Sequence, residues 1–170
     1  AGKAAADFAK EVSSTAPPAQ FGAAEKARLE KILSKKGPER VPVIRQELRD
    51  SMTQHAGVFR DGAGLKAGLE KVRELKKRFR NIQIADDHMV FNTELVEYLE
   101  LENLLDIAEI IVTGALNRTE SRGAHFREDF PRRNDSDWLK HTIASVKDGK
   151  LNIGYEKVSI TRFPPKERGY

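Results

Sequence analysis

The residues of this chain best suited to chemistry gather in one run, E-S-R-G-A-H-F-R-E-D-F-P-R-R-N-D-S-D-W-L-K-H, from Glu120 to His141. Within it Arg122, His125 and Arg127 stand in an Arg-x-x-His-x-Arg pattern broken by Gly123. Two guanidinium forks and an imidazole at that spacing suit an anionic ligand or the carboxylates of a partner. They suit an internal role equally well. Arg122 would then pair with Glu120, Glu128 or a helix-end carbonyl, and His125 would pack as a hydrogen-bonded ring, because buried charges must be paired. The residues alone leave both readings open. The carboxylates Glu128-Asp129 and Asp135/Asp137 have the chemistry of general acids and bases. They lie among Arg127, Arg132, Arg133 and Lys140, however, and ion pairing is the simpler account.

Elsewhere the candidates are thinner. His55, His88, His125 and His141 show no H-x-x-x-H or H-E-x-x-H spacing, so a local zinc motif is absent. Asp86-Asp87-His88 offers oxygen and nitrogen donors to a metal, but loop carboxylates beside a histidine are ordinarily solvated. With 0 Cys the chain has no disulfide, no thiolate nucleophile and no Cys-ligated cluster. No G-x-G-x-x-G, P-loop or nucleophile elbow occurs. Spacing reveals no active site, metal centre or cofactor cradle.

Composition describes what must position these groups. The 170 residues are 39% hydrophobic and 33% charged, with a net charge of +4, which fits a helix-rich domain with a real core. No apolar run reaches the roughly 18 residues of a membrane span, and no signal-peptide pattern opens the chain. The densest basic run, Lys71, Arg73, Lys76, Lys77, Arg78 and Arg80, falls at the end of a predicted helix. It reads as a solvated face complementing the helix dipole rather than a phosphate-binding patch, so no nucleic-acid partner is expected.

The opening A-G-K-A-A-A-D-F-A-K-E is helix-prone but has no N-cap before it, and reads as the end of a helix that begins elsewhere. Residues 13–22, with two prolines, read as a linker. Four helical patterns follow in residues 23–119. The first spans Ala23–Ser34, and the second carries Val41, Ile44, Leu48 and Met52 with Pro42 in its first turn. The third, from about Gly64 to Arg80, aligns Leu65, Leu69, Val72, Leu75 and Phe79, followed by Ile82. The fourth starts at an Asn92 or Thr93 cap and repeats Leu101, Leu104, Leu105, Ala108, Ile111, Val112 and Ala115. Phe91, Leu95, Leu99, Ile110 and Leu116 widen that face, which predicts more than one packing neighbour.

Residues 120–170 then switch character. Past the charged run, Thr142–Lys147 and Lys150–Tyr155 flank Asp148-Gly149, a type I′ hairpin signal that pairs Val146 with Leu151 and Ala144 with Ile153. A lone hairpin is marginal in water, so this one should rest on the bundle or on a partner. The tail F-P-P-K-E-R-G-Y is extended by its prolines and predicts a docked C-terminus. The expected fold is mainly α: an antiparallel three- to four-helix bundle, a small C-terminal β-hairpin and an extended tail.

Several segments in this order carry a resemblance: F-N-T-E-L (91–95), E-L-E-N-L-L-D-I-A-E (100–109), E-S-R-G-A-H-F-R-E-D-F-P (120–131), D-W-L-K-H-T (137–142) and F-P-P-K-E-R-G-Y (163–170). Together they resemble the C-terminal region of the flavoprotein subunit of succinate dehydrogenase and fumarate reductase. L-aspartate oxidase, a relative with an E-S-R-G-type segment, is the second choice because it typically lacks the Trp-Leu-Lys-His hairpin and the Pro-Pro-Lys-Glu-Arg tail. A stand-alone helical adaptor is the alternative from another class.

The resemblance implies that residues 1–12 end the last helix of an FAD-binding domain and that a helical domain follows. The parent would interconvert succinate and fumarate by hydride transfer at FAD and pass electrons to an iron–sulfur subunit. The FAD and dicarboxylate sites would lie before residue 1, leaving no catalytic, cofactor or metal residue here and an inactive fragment. Arg122, His125, Arg127, Trp138 and His141 would then serve an interdomain or intersubunit interface. The partners would be the FAD-binding domain and the iron–sulfur subunit. The location would be cytoplasmic and peripheral to a membrane, or the matrix side in a mitochondrion, without direct membrane insertion.

Overall fold

A computed structural model describes residues 1–12, 18 and 20–166. Most of the proposed 13–22 linker and the end of the tail, Tyr170 included, lie outside the described residues. Helix α1 (Gly2–Glu11) has no side-chain N-cap and buries no residue. Helix α2 (Ala23–Leu33) closes one end of the core with Ile32 and Leu33. Three longer helices make the bundle: α3 (Val41–Ala56), α4 (Gly62–Phe79) and α5 (Thr93–Asn117). Their starts follow local chemistry. Pro42 sits in the first turn of α3, where a missing N–H costs nothing. Asp61 accepts from the N–H groups of Ala63 and Gly64 to cap α4, and Asn92 accepts from Leu95 to cap α5.

The helices run up, down and up. Gly68 early in α4 faces His55 late in α3, whereas Arg78 late in α4 reaches Glu39 just before α3 and Glu47 within it. Phe79 at the end of α4 stacks on Tyr98 early in α5, with ring centroids 4.4 Å apart. The main core joins Val41, Ile44 and Leu48 of α3 to Val72, Leu75 and Phe79 of α4 and to Leu95, Tyr98, Leu101, Leu105 and Ala108 of α5. A second cluster of Leu65, Leu69, Val112 and Ala115 continues it toward the end of α5. The α4 stripe read from the sequence is buried throughout, Ile82 included.

Two expectations change. Leu104 and Ile111 do not join the core: they are 42% and 45% exposed, and Ile107 between them is 51% exposed. The faces of α5 that α3 and α4 cover leave this third stripe outward. It lines an apolar cleft of about 300 Å³ with Leu48, Met52, Arg45 and Arg49 of α3. The basic run on α4, expected to be solvated, is largely ion-paired across the bundle. Lys71 and Arg78 reach Glu47, while Arg73 and Lys76 reach Glu109. Hydrogen bonds from Arg78 and Lys71 hold the Glu47 pKa down at about 2. Such pairs align α4 against both neighbours while adding little stability each.

Short extended pieces tie the helices together. Strand β1 (Phe59–Arg60) pairs in parallel with β2 (Phe126–Arg127), and the Phe59 and Phe126 rings meet edge to face at 5.7 Å. After a single turn of helix, α6 (Asp135–Trp138), strands β3 (Lys140–Lys147) and β4 (Lys150–Lys157) form the hairpin. Its register matches the expectation, Val146 opposite Leu151 and Ala144 opposite Ile153, and Asp148 and Gly149 both take positive φ. The hairpin lies beside α5, where Leu151 of β4 and Ile110 of α5 share one cleft. Phe163 in the tail is 83% exposed. Among the described residues no helix is long and apolar enough to cross a membrane.

Backbone approach is tightest at Gly37, where a Cβ would sit 1.9 Å from the Asn81 carbonyl oxygen. Gly37→Ala therefore pushes the α2–α3 connection off the end of α4. We expect a loss of about 1–3 kcal/mol in urea unfolding, as for overpacked sites, with no change in the denaturant slope.

Candidate functional site

The run from Glu120 onward folds around one buried carboxylate. Glu120 is fully buried, and both its oxygens are hydrogen-bonded. Arg118 Nη1 donates to Oε1 at 2.6 Å, Arg122 Nε to the same atom at 2.8 Å, Arg122 Nη2 to Oε2 at 3.1 Å and the Asn134 N–H to Oε2 at 2.8 Å. Burial alone would raise the carboxyl pKa. The donors from Arg122, Asn134 and Arg118 outweigh it and hold the group below the usual carboxylate range.

Each guanidinium then reaches onward. Arg118, just past α5, donates to the Trp138 and Lys140 carbonyls and lies 5.0 Å from the Trp138 ring centre. Arg122 donates to Asp135, which Arg133 also holds, and these two arginines lower the Asp135 pKa to about 2. Arg133 further donates to the Lys166 carbonyl, tying the tail to the cluster.

Arg127 forms a second centre. Only 2% exposed, it donates through Nη1 to the Ala115 and Leu116 carbonyls at the end of α5. Its Nε and Nη2 form a two-pronged pair with Asp129, both at 2.7 Å. Asp129 in turn accepts from the Gly62 N–H that opens α4. A cation thus meets the negative end of one helix dipole, and an anion meets the positive end of the next. Arg127 and the Gly62 N–H keep the Asp129 pKa at about 2.

His125 bridges the two centres. Its Nδ1 lies 3.2 Å from Arg60 Nη1 and its Nε2 lies 3.2 Å from the Arg118 carbonyl oxygen. Arg60 can only donate, so Nδ1 accepts, and Nε2 carries the proton that it donates to the carbonyl. That is the neutral ring. Burial lowers its pKa, and the charges of Arg60, Arg127 and Arg118 lower it further.

Trp138 sits at the edge of the cluster. Its Nε1 donates to Thr119 Oγ1, Lys140 lies 4.5 Å above its ring, and Tyr155 of β4 meets it edge to face at 5.5 Å. His141 stands apart: exposed on β3, it is opposite Glu156 in the hairpin ladder. The structure therefore brings Arg122, His125, Arg127 and Trp138 into one network and leaves His141 beside it. Arg122 and Arg127 are committed to internal carboxylates. Arg60 and Arg118 belong to the same network but escaped sequence reading. The only hint was their position at helix and strand ends, where a cation suits terminal carbonyls.

Among the described residues the cluster shows no arrangement of nucleophile and base: arginines engage Glu120, Asp129 and Asp135, and Asp137 accepts from the side chain of Asn134. A phosphate-bearing cofactor does not fit the start of α4 either. Gly62-Ala63-Gly64 follows β1 in the manner of a phosphate cradle, but Asp129 and Asp61 occupy its N–H groups. Asp86, Asp87 and His88 bring their ligand atoms within 4.8 Å of one another at the surface, where His88 Nδ1 bonds Asp86 at 2.9 Å.

Residues 45–170 match the protein family described as fumarate reductase flavoprotein C-term. The chain is similar to the fumarate reductase flavoprotein subunit of Mycobacterium tuberculosis, 44% identical over all of this chain and 30% of that protein. It is also similar to the succinate dehydrogenase flavoprotein subunit of Rickettsia felis, 40% identical over 84% of this chain and 25% of that protein. Among solved structures, a variant of E. coli quinol fumarate reductase FrdA superimposes with a TM-score of 0.83 at 34% identity, over 91% of this chain and 27% of that one. The chain thus spans under a third of the length of the relatives it matches.

Removing Glu120 would leave guanidinium groups of Arg118 and Arg122 facing a buried gap. Glu120→Ala is expected to cost about 3–5 kcal/mol, as for a broken buried ion pair, read as a lowered urea midpoint. The pH response has a definite sign. His125 has a folded pKa below its unfolded 6.5, so its contribution is fully present above that pH and declines as pH falls from 6.5 to the folded value. We expect the His125 ring to titrate below 6.5 by NMR. The decline in stability just below pH 6.5 should shrink in His125→Gln, which can keep the carbonyl bond.

Proposed function

This chain belongs to the fumarate reductase flavoprotein C-terminal family, and from that premise we propose that it is the helical C-terminal domain of an FAD-dependent flavoprotein subunit. The parent interconverts succinate and fumarate and passes electrons to an iron–sulfur subunit. It does so peripheral to a membrane, on the cytoplasmic or mitochondrial matrix side. The domain itself carries no catalytic group. Residues 1–12 close the last helix of the FAD-binding domain, the stretch 13–22 links it to the bundle, and FAD is held wholly outside residues 1–170.

The observation that carries this reading is the combination of likeness and internal pairing of the buried charges. The Glu120–His141 run is part of the family match, yet its buried charges, Glu120 with Arg122 and Arg127 with Asp129, serve one another rather than a substrate. A ligand-binding arginine would keep donors free for a dianion; Arg127 instead spends them on Asp129 and the end of α5. The network's task is to stiffen the seam. Arg122, His125 and Arg127 set its shape from inside, and Trp138 and His141 lie toward the surface that meets the FAD-binding domain or the iron–sulfur subunit.

The experiment uses the flavoprotein that contains this chain. Purified, it should carry flavin absorbance and oxidise succinate with an artificial electron acceptor; a polypeptide without either would sink the proposal. His141 separates interface from fold, because its exposed ring makes no side-chain bond among the described residues. His141→Glu should lower iron–sulfur subunit capture or flavin retention while the thermal midpoint of the bundle stays the same. Unchanged assembly and flavin content would remove His141 from the interface.

A further inference from the structure

The loop that leads into α5 is built to expose apolar side chains. Met89, Val90 and Phe91 are 44%, 72% and 97% exposed, and they are consecutive. Phe91 also holds φ at +56°, a left-handed conformation that a bulky residue adopts only when its surroundings impose it. Those surroundings are well defined. The side chain of Asn92, itself 5% exposed, donates to the carbonyls of Asp86 and His88 and accepts from the Leu95 N–H. Glu94 accepts from the N–H groups of Ala85 and Asp86, and Asp86 accepts from the N–H of His88. The loop is thus tied down on its polar side so that its apolar side stands out.

Such an arrangement is unfavourable in water twice over, through the backbone conformation and through the exposed ring. Both costs are offset if the apolar side chains enter a pocket. We propose that Val90 and Phe91 form a docking knob that inserts into an apolar socket on the flavin-bearing part of the same polypeptide, a reading that rests on the function proposed above.

Two features point to that occupant. The relatives are more than three times as long as the segment matched here, since it covers 30% of the M. tuberculosis protein. A covalently attached partner is present at high effective concentration and can cover a costly surface permanently, whereas a separate subunit leaves it bare before assembly. The knob is also flanked by the exposed carboxylates of Asp86 and Asp87, which among the described residues have only the His88 ring as an ion-pair partner. The socket is therefore apolar at its floor and rimmed by Lys or Arg.

The test places p-benzoylphenylalanine at position 91 of the flavin-loaded full-length protein and maps the photo-cross-link by mass spectrometry. The expected product is an intramolecular link to a segment upstream of residue 1. A link to a separate subunit, to a second copy, to residues 1–170, or no link at all overturns the inference while leaving the flavoprotein reading intact. A polypeptide that carries no flavin removes that reading and this inference with it. A second measurement uses Phe91→Gly, which suits the positive φ and cannot disturb the buried core. Flavin should be released at a temperature several degrees lower than in the parent, with Phe91→Tyr restoring it. An unchanged release temperature in Phe91→Gly counts against the knob.

Discussion

A single guanidinium, that of Arg127, fixes how the second half of this molecule sits on the first. It lies where the carbonyls at the end of α5 have no helical partners and where the N–H groups at the start of α4 need an acceptor. With Asp129 it answers both at once, because α4 and α5 are antiparallel and their opposite ends come together. The strand pairing of Phe59–Arg60 with Phe126–Arg127 follows from that anchoring, as does the placement of His125 against Arg60. Buried charge is tolerated there because the guanidinium finds carboxylate and carbonyl acceptors in the correct geometry.

The Glu120 cluster extends the same logic outward. A carboxylate with no exposure gathers Arg118, Arg122 and the Asn134 N–H, and these in turn hold Trp138, Asp135 and the start of the hairpin. The run therefore lacks a regular ladder of backbone bonds but still has a defined shape. The apolar bundle supplies most of the stability of the domain, and the charged network supplies the orientation of the edge it presents.

How much of this was legible in the sequence differs by element. The α4 stripe from Leu65 to Phe79, a cap at Asn92 or Thr93 and the Asp148-Gly149 hairpin could be read directly, and the structure picks Asn92 as the cap. Each depends on neighbours within a few positions, through helical period, a capping side chain or a turn that needs positive φ. On α5 the wide apolar face does meet two neighbours, α3 and α4, without being covered all round. Period alone cannot say which parts of a wide apolar face are covered, and Leu104 and Ile111 share the α5 pattern yet lie outside the core that α3 and α4 build with it. The basic run of α4 went the other way, from solvated to paired, because Glu47 and Glu109 lie on other helices.

At the charged run, composition and order pointed to a family and to groups that had to be paired, but left open whether the partners were internal. Only the fold resolved that for Arg122 and Arg127. Asp129 lies two residues beyond Arg127, whereas Gly62 is 67 residues from Asp129 and meets it through helix packing. Arg60 reaches His125 across 65 residues, a contact no local pattern encodes. Short-range preferences decided the elements, since they act through bonds and side chains a few residues apart. Long-range packing decided which charge meets which, and so turned a candidate binding motif into the fastening of the domain.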